Sequence, residues 1–181
     1  MIVQLYDGIF GAENFSPYCD RITEQILSIN ESEYEVRPHH RFATYGRTDD
    51  NHNSDFSAIV EEYVSDLALT LKSVYEFDGV LNQSIPVVRY EVGDYMDDHD
   101  DMYHNAIDSE LAEKVHVYST VHFLNDEFSG GNLVFPEIDL TITPRKNMLI
   151  MFPCHHVHRS EVITHGMKLS STKFWRDKNA V

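Results

Sequence analysis

The sequence has 181 residues, 42% hydrophobic and 24% charged, so it can bury one sizeable core and is not a disordered chain. Thirty acidic residues against 14 basic ones give a formal net charge of −16. This argues against nucleic acid as the main partner, because such binders usually carry a basic stripe. Two cysteines are too few for a disulfide framework, the first residues lack the basic region of a signal peptide, and no apolar run could span a bilayer. We therefore expect a cytoplasmic protein without a membrane segment.

Two helices are predicted in the first half of the chain, separated by a polar segment. The first covers Asn14–Asn30, where apolar residues recur at helical spacing. Residues 31–53 are predicted to form a long loop with a short strand around Phe42–Tyr45. The second helix begins at Ser54, and its stripe of aliphatic and aromatic residues up to Gly79 predicts a face packed on the core.

The second half of the chain contains short apolar runs that glycine and proline separate, which is typical of strands. The predicted strands are Ile85–Glu91, Lys114–Asn125, Leu133–Phe135, Ile138–Ile142, Met148–Phe152 and Lys168–Trp175. Many short strands behind two helices predict a mainly β fold with flanking helices, a β-sandwich or jelly roll. We expect one domain, residues 1–181, with helical support over residues 14–78 and a β core over residues 85–176.

An acidic run near residue 100 contains a candidate metal-binding pair. His99 and Asp101 are two positions apart, so in an extended chain both side chains reach the same side. Imidazole and carboxylate suit Fe(II), and no cysteines cluster as they do in structural zinc sites. Asp97, Asp98 and Asp100 compete for the carboxylate role, and only the spacing favours Asp101. The alternative interpretation is a solvated acidic loop.

A second histidine cluster lies well downstream. His155, His156 and His158 offer three imidazoles for one remaining position, and in a strand His156 and His158 point to the same side while His155 faces away. Alternation therefore does not choose between His156 and His158. Two histidines and one carboxylate would bind one face of Fe(II) and leave the opposite positions open, as in non-haem iron oxygenases.

Lys168 follows as a candidate anion-binding residue. It shares one side of its predicted strand with Ser170, Thr172 and Phe174. A lysine on an inward face needs an anionic partner, which a carboxylate-bearing cosubstrate would supply. The alternative is a lysine that extends to the surface at the end of a strand.

Three segments, in order, resemble one family. Residues 87–101, with Tyr-x-x-Gly and His-x-Asp, resemble the Fe(II)/2-oxoglutarate dioxygenases, and the prolyl 4-hydroxylase-like branch in particular. Residues 120–137, with Phe-Leu-Asn and Gly-Gly-Asn-Leu-Val-Phe-Pro, resemble the Tyr-Leu-Asn and Gly-Gly-x-Leu-x-Phe-Pro segment of that branch. Residues 152–168 resemble its ending, in which Phe-Pro precedes a histidine and Gly-x-Arg/Lys. The resemblance covers roughly the last hundred residues and implies a double-stranded β-helix (jelly roll).

The resemblance also implies roles for individual residues. His99, Asp101 and His158 would bind Fe(II), which selects His158 over its neighbours. Lys168 would pair with the distal carboxylate of the cosubstrate 2-oxoglutarate, with Thr172 near the same group.

Further positions would shape the cosubstrate pocket. Val121, Phe123 and Leu133 would line it, and Tyr90 would lie beside the iron and donate a hydrogen bond. Phe123 stands where many relatives have a tyrosine that binds 2-oxoglutarate, and Asn147 stands where they have glycine.

The implied activity is hydroxylation of a C–H bond, with O₂ consumed and succinate and CO₂ as coproducts. A prolyl residue in a peptide or protein is the implied substrate, and a free amino acid or another small molecule is the alternative. Repair of alkylated bases is disfavoured by the acidic charge, and a metal- or ligand-binding jelly roll without catalysis is the alternative from another class. Acidic side chains near the site predict a mouth that attracts a basic substrate; they are Asp94, Asp97, Asp98 and Asp100. The sequence makes no prediction about the oligomeric state.

Overall fold

The computed structural model describes residues 1–28, 34–45, 54–75, 79–80, 85–102 and 116–177. These residues form fifteen strands, two α-helices and one 3₁₀ turn. In chain order they are β1 (Ile2–Tyr6), β2 (Ile9–Ala12), α1 (Cys19–Leu27), β3 (Glu35–Arg37), β4 (His40–Tyr45), α2 (Ser54–Tyr75), β5 (Gly79–Val80), β6 (Ile85–Tyr90), β7 (Met96–His99), β8 (His116–Phe123), β9 (Phe128–Gly130), β10 (Leu133–Phe135), the 3₁₀ turn Pro136–Ile138, β11 (Leu140–Ile142), β12 (Met148–Pro153), β13 (His158–Ser160), β14 (Ile163–Gly166) and β15 (Lys168–Asp177).

The strands pair into one large and two small sheets. The large sheet has the order β1-β2-β12-β8-β15-β6-β4-β3, and β5 pairs with β15 at its far end. A smaller sheet has the order β11-β10-β13-β7, and β14 pairs with β9. Every pairing is antiparallel. Neither described helix has the combination of length and apolarity that a membrane crossing needs.

Both faces of the large sheet are covered, so its central strands are buried on both sides. Leu149 and Met151 of β12 pack in the cluster that contains the buried residues of α1 and α2. Ile150 and Phe152, which alternate with them, pack in the cluster shared with the smaller sheet. The predicted mainly β fold with helices on one side is confirmed, and the reactive residues lie between the two sheets.

The N-terminal region contains more β structure than the sequence indicated. Strands β1 and β2 precede the first helix, and that helix covers only Cys19–Leu27 of the predicted 14–30. Asn14 has a positive φ of 50°, which a helix does not accommodate. Within the predicted loop, β3 and β4 form a hairpin on the large sheet, and residues 46–53 lie outside the described part.

The predicted strands are present with small shifts of their ends, but several short strands were not predicted. The strand predicted from Lys114 is described from His116, because residues 103–115 lie outside the described part. The predicted strand Ile138–Ile142 is divided into a 3₁₀ turn and β11. The unpredicted strands of the second half are β7, β9, β13 and β14, each three or four residues long.

A buried polar cluster joins the helices to the large sheet. Asn147 has a φ of 61°, in the left-handed region that favours glycine, and its Oδ1 accepts hydrogen bonds from Ser16 N (2.9 Å) and His122 Nε2 (3.0 Å). Asn147 Nδ2 donates to the Ser16 carbonyl (2.9 Å), and Tyr63 of α2 donates its O–H to His122 Nδ1 (3.0 Å). Burial lowers the pKa of His122 to about 4, so this imidazole stays neutral.

We expect Asn147→Ala to lower the free energy of unfolding by about 2–3 kcal/mol, because buried partners lose their hydrogen bonds. Asn147→Gly loses the same bonds but suits the positive φ, so it should be more stable than the alanine variant by about 1 kcal/mol. Urea unfolding of both variants measures the loss from the side-chain hydrogen bonds and the contribution of the positive φ. Equal losses would contradict the backbone contribution, and no loss in either variant would contradict the anchoring role of the side chain.

Candidate active site

The two candidate histidine ligands are brought together by strand pairing. His99 at the end of β7 and His158 at the start of β13 are direct cross-strand partners, and their ring centroids are 4.3 Å apart. His99 Nδ1 is 2.8 Å from the Asp97 carbonyl oxygen, and His158 Nδ1 is 3.0 Å from that of His156. Because a carbonyl only accepts, each Nδ1 carries the proton. The lone pair of each imidazole is therefore on Nε2, where a metal ion would bind.

The carboxylate of Asp101 lies between these two Nε2 atoms. Its Oδ1 is 3.6 Å from His99 Nε2, and its Oδ2 is 3.6 Å from His158 Nε2. The Ser119 hydroxyl donates to Asp101 Oδ2 at 2.6 Å, and the backbone N–H of Asp101 donates to the Cys154 carbonyl at 3.0 Å. Ser119 therefore holds the carboxylate, and Cys154 holds the backbone of the same residue.

These three residues form a set that fits one metal ion. One ligand atom from each of them lies within 4.8 Å of the others. Two imidazole nitrogens and one carboxylate oxygen are the donors of the facial triad that binds Fe(II). His158 and Asp101 are buried, whereas one third of the His99 side chain is exposed (33%), so the site opens to solvent on the His99 side.

The structure distinguishes among the three downstream histidines. His158 is the buried one that joins the metal-binding group. The ring of His156 is half-buried and lies edge-on to Phe135 at 6.2 Å, and His155 is exposed. Strand alternation could not have separated His156 from His158, because β13 begins only at His158 and a turn precedes it.

Lys168 is buried at the first position of β15. Its Nζ donates to the Gly131 carbonyl (2.9 Å) and to Ser160 Oγ (2.7 Å), and lies 4.8 Å and 5.4 Å from the ring centroids of Tyr90 and Phe123. Burial lowers the pKa of Lys168 to about 7. Among the described residues no carboxylate forms an ion pair with it. A buried ammonium with neutral partners is suited to bind an incoming anion.

One cavity of about 340 Å³ contains the metal-binding group and Lys168 together. Its wall includes the five other residues predicted to surround the cosubstrate, which are Tyr90, Val121, Phe123, Leu133 and Thr172. Ser170 and Phe174 also line it, so the predicted inward face of β15 is confirmed. No sequence pattern indicated Ser160, or Arg37 and His40, which lie in a segment predicted as loop.

The predicted acidic mouth stays a prediction, and none of its four aspartates lines the cavity. Among the described residues that line the cavity, Asp101 has the only carboxylate. Each of the other acidic side chains has a neighbouring partner or faces elsewhere: Asp94 accepts the Glu91 N–H, Asp98 pairs with Arg159, Asp100 accepts the Met102 N–H, and Asp97 borders a different depression. The described lining of the cavity itself is therefore not acidic.

Comparison with known proteins identifies the family. The model of the 2OG-Fe(II) oxygenase superfamily matches residues 85–176, just over half of the chain, and the chain belongs to this superfamily. It is a 2-oxoglutarate-dependent dioxygenase, and its cofactors are Fe(II), 2-oxoglutarate and O₂. No curated protein sequence matches the chain.

Solved prolyl hydroxylases share the fold. A viral collagen prolyl hydroxylase from Paramecium Bursaria Chlorella virus-1, in a 2-oxoglutarate complex, is 16% identical over 96% of this chain and 99% of that chain, with a TM-score of 0.68. A Pseudomonas putida prolyl-4-hydroxylase is 14% identical over 95% and 94%, with a TM-score of 0.70. A Trichoplax adhaerens prolyl hydroxylase in complex with a hypoxia inducible factor peptide is 16% identical over 96% and 85%, with a TM-score of 0.68. The predicted jelly roll of the prolyl 4-hydroxylase-like branch is confirmed as a fold.

The histidine assignment makes a direct prediction about metal binding. We expect His158→Ala to lower the Fe(II) affinity by at least about 100-fold, because one of three ligands is removed. His155→Ala and His156→Ala are matched controls on the same segment and should retain wild-type affinity. Anaerobic Fe(II) titration with a chelator competitor measures all three. Loss in His156→Ala with retention in His158→Ala would overturn the assignment.

Proposed function

We propose that this dioxygenase hydroxylates a prolyl residue in a peptide or protein and releases succinate and CO₂. The observation that carries the proposal is the shared cavity, in which buried Lys168 lies with His99, Asp101 and His158. A site that only bound a metal would not require a buried ammonium in the same cavity. A metal centre with an anion-binding lysine beside it is what an iron enzyme with a dicarboxylate cosubstrate needs.

In this proposal His99, Asp101 and His158 bind the iron. The two backbone carbonyls hold the imidazoles with Nε2 available, and Ser119 restrains the carboxylate, so little reorganisation accompanies metal binding. Iron and 2-oxoglutarate supply the oxidation of a substrate C–H bond by O₂, which side chains cannot provide. The chain contributes orientation and a largely enclosed site.

Lys168 binds the distal carboxylate of 2-oxoglutarate, with Thr172 beside the same group. Ser160 orients the ammonium through its 2.7 Å hydrogen bond, and Ser160 lies two residues after His158 on the same face of β13. The cation site and the metal site are therefore held by one strand. The apolar wall that shields the bound cosubstrate from water consists of Val121, Phe123 and Leu133.

Tyr90 remains a protonated hydrogen-bond donor in this site. Burial, and after it the negative charge of Asp101, raise the pKa of Tyr90 above its ordinary value. Its O–H lies 3.9 Å from Met96 Sδ, a weak acceptor that a better one can replace. Tyr90 can therefore donate to a ligand near the metal, as we propose.

Two observations support a prolyl substrate. The three solved proteins described above are named as prolyl hydroxylases, and one of them was solved with a peptide. In this chain Pro86 and Phe174 give the outer wall of the cavity an apolar surface, and Phe174 is 42% exposed. Such a surface suits a pyrrolidine ring that enters from solvent.

We expect the affinity for 2-oxoglutarate to fall as the pH rises above 7. Without an anion the pKa of Lys168 is about 7, so the ammonium is present at pH 6 and largely lost at pH 9, while both carboxylates of the ligand stay ionised. The dissociation constant should rise about tenfold or more between pH 7 and pH 9. Anaerobic titration of the Fe(II) protein, followed by the visible metal-to-ligand charge-transfer band, measures it.

Variants on β15 provide the controls. Lys168→Arg keeps its charge at every pH and should bind with little pH dependence. Lys168→Met should retain Fe(II) but lose the band, whereas Lys173→Met, which removes a buried lysine from the opposite face of the same strand, should keep it. Equal bands in the two methionine variants would exclude Lys168 as the anchor.

Prolyl hydroxylation itself is tested with proline-containing peptides, Fe(II), 2-oxoglutarate and O₂. We expect mass spectrometry to find one added oxygen atom on the proline, with stoichiometric succinate. His99→Ala is the inactive control and should form neither product. Succinate formation without oxygen on any peptide, together with oxygen on a free amino acid, would replace the peptide substrate by the small-molecule alternative.

A further inference from the structure

The burial of the lining residues shows where the cavity opens. Among the described residues that line it, only Arg37 and Phe174 are exposed, and Lys168 and Phe123 are fully buried at the other extreme. Arg37 and Phe174, together with the partly exposed His99, are therefore the described lining residues that a substrate from solvent can contact first. Arg37 comes from the β3–β4 hairpin, the part of the large sheet farthest from the N-terminal strands.

The charges along this path are not those of the protein as a whole. The chain has a formal net charge of −16, yet the only carboxylate lining the described part of the cavity belongs to Asp101. Arg37 is cationic at every working pH. His40, beside it on the hairpin, has a pKa lowered by burial and then by the charge of Arg37, so it is neutral at pH 7. Arg37 is thus the fixed positive charge at the opening.

We propose that Arg37 selects the substrate by binding a carboxylate, so that the preferred substrate is a prolyl compound with an acidic group next to the ring. This inference rests on the proposed function and names its substrate class. The carboxylate can come from an acidic side chain beside proline in a peptide or from the α-carboxylate of free proline. The guanidinium binds either carboxylate through a pair of N–H donors, while Phe174 contacts the ring.

Two effects oppose the binding of a substrate carboxylate to Arg37, and both are weak. Arg37 Nε and Nη2 lie 3.2 Å and 3.3 Å from the Glu35 carboxylate, but both side chains are about half exposed or more. Exposed ion pairs of this kind contribute only about 0–1 kcal/mol, so a substrate carboxylate can replace Glu35. The acidic surface repels anions at a distance, but salt screens that field beyond about 8 Å, and the contact with Arg37 remains.

The test measures how tightly substrate probes bind in the absence of O₂, so that no hydroxylation takes place. The probes are three blocked peptides of equal length with proline between two Glu, two Gln or two Lys residues, together with proline and prolinamide. Each is titrated anaerobically into the Fe(II)–2-oxoglutarate protein, and its dissociation constant is read from the change in the visible band. We expect the Glu peptide to bind about tenfold more tightly than the Gln peptide and the Lys peptide to bind most weakly.

Four variants connect the preference to Arg37. Arg37→Gln should abolish the preference for the Glu peptide, and Arg37→Glu should favour the Lys peptide. Glu35→Gln removes one competing carboxylate and should tighten binding of the Glu peptide. Arg145→Gln is the matched control, since it removes an exposed arginine paired with Glu13 outside the cavity, and it should preserve the preference.

Each outcome decides a separate point. Equal dissociation constants for the three peptides, with no difference between proline and prolinamide, overturn the inference, as does an unchanged preference in Arg37→Gln. A preference for proline over prolinamide that depends on Arg37, without a peptide preference, supports the inference and assigns the carboxylate to the free amino acid. A probe that binds selectively but gains no oxygen after O₂ is admitted contradicts prolyl hydroxylation and leaves the charge selection established.

Discussion

The antiparallel pairing of β7 with β13 sets His158 opposite His99, and the rest of the site is arranged around this contact. Strand β13 also pairs with β10, so it anchors the short strand β7 at the edge of the smaller sheet. Because β13 alternates, Ser160 points to the same side as His158 and reaches Lys168 on the large sheet. Strand β13 therefore connects the metal-binding group to the cation through His158 and Ser160.

The large sheet supplies the rigid wall against which this pairing is positioned. Odd-numbered residues of β15 such as Leu169 and Trp175 pack towards the helices, while even-numbered ones such as Lys168 and Thr172 face the cavity. Helix packing on one face thus restrains the side chains on the other. Ser119 of β8 extends this support to the metal site, since it holds Asp101 from the same sheet. Reactive groups on paired strands keep their geometry better than groups on loops.

The sequence predicted the parts of the site that local pattern determines. The alternation along β15 depends only on strand geometry and is present. His99 and Asp101 also meet at one site, although β7 ends at His99 and Asp101 lies beyond it. The choice of His158 required the family resemblance, because the turn before β13 leaves no periodicity to read. The roles of these residues in catalysis stay predictions.

The features of the site that the sequence did not predict depend on contacts between residues that are not neighbours in the chain. Ser119 and Ser160 have no distinctive neighbours in the chain, and their importance comes from partners 18 and 8 residues away. Arg37 was placed in a loop because β3 has three exposed residues and no apolar alternation, and only pairing with β4 makes it a strand. The acidic run adjoins His99 in the chain, yet Asp94, Asp97, Asp98 and Asp100 do not line the cavity.

Lys168 is buried where its positive charge lowers the stability of the fold and is useful for binding an anion. Between the folded-state pKa of Lys168, about 7, and the unfolded value of about 10.4, the unfolded chain binds more protons, so this residue makes stability rise with pH across that window. Near and below pH 7 the fold therefore bears the cost of a buried ammonium whose described partners are neutral. A bound dicarboxylate offsets that cost, which couples cosubstrate binding to the stability of the fold. Asp101 accepts a hydrogen bond from Ser119 and lies beside the two imidazoles, and among the described residues no carboxylate pairs with Lys168. The lysine is therefore suited to an anion that arrives from solvent.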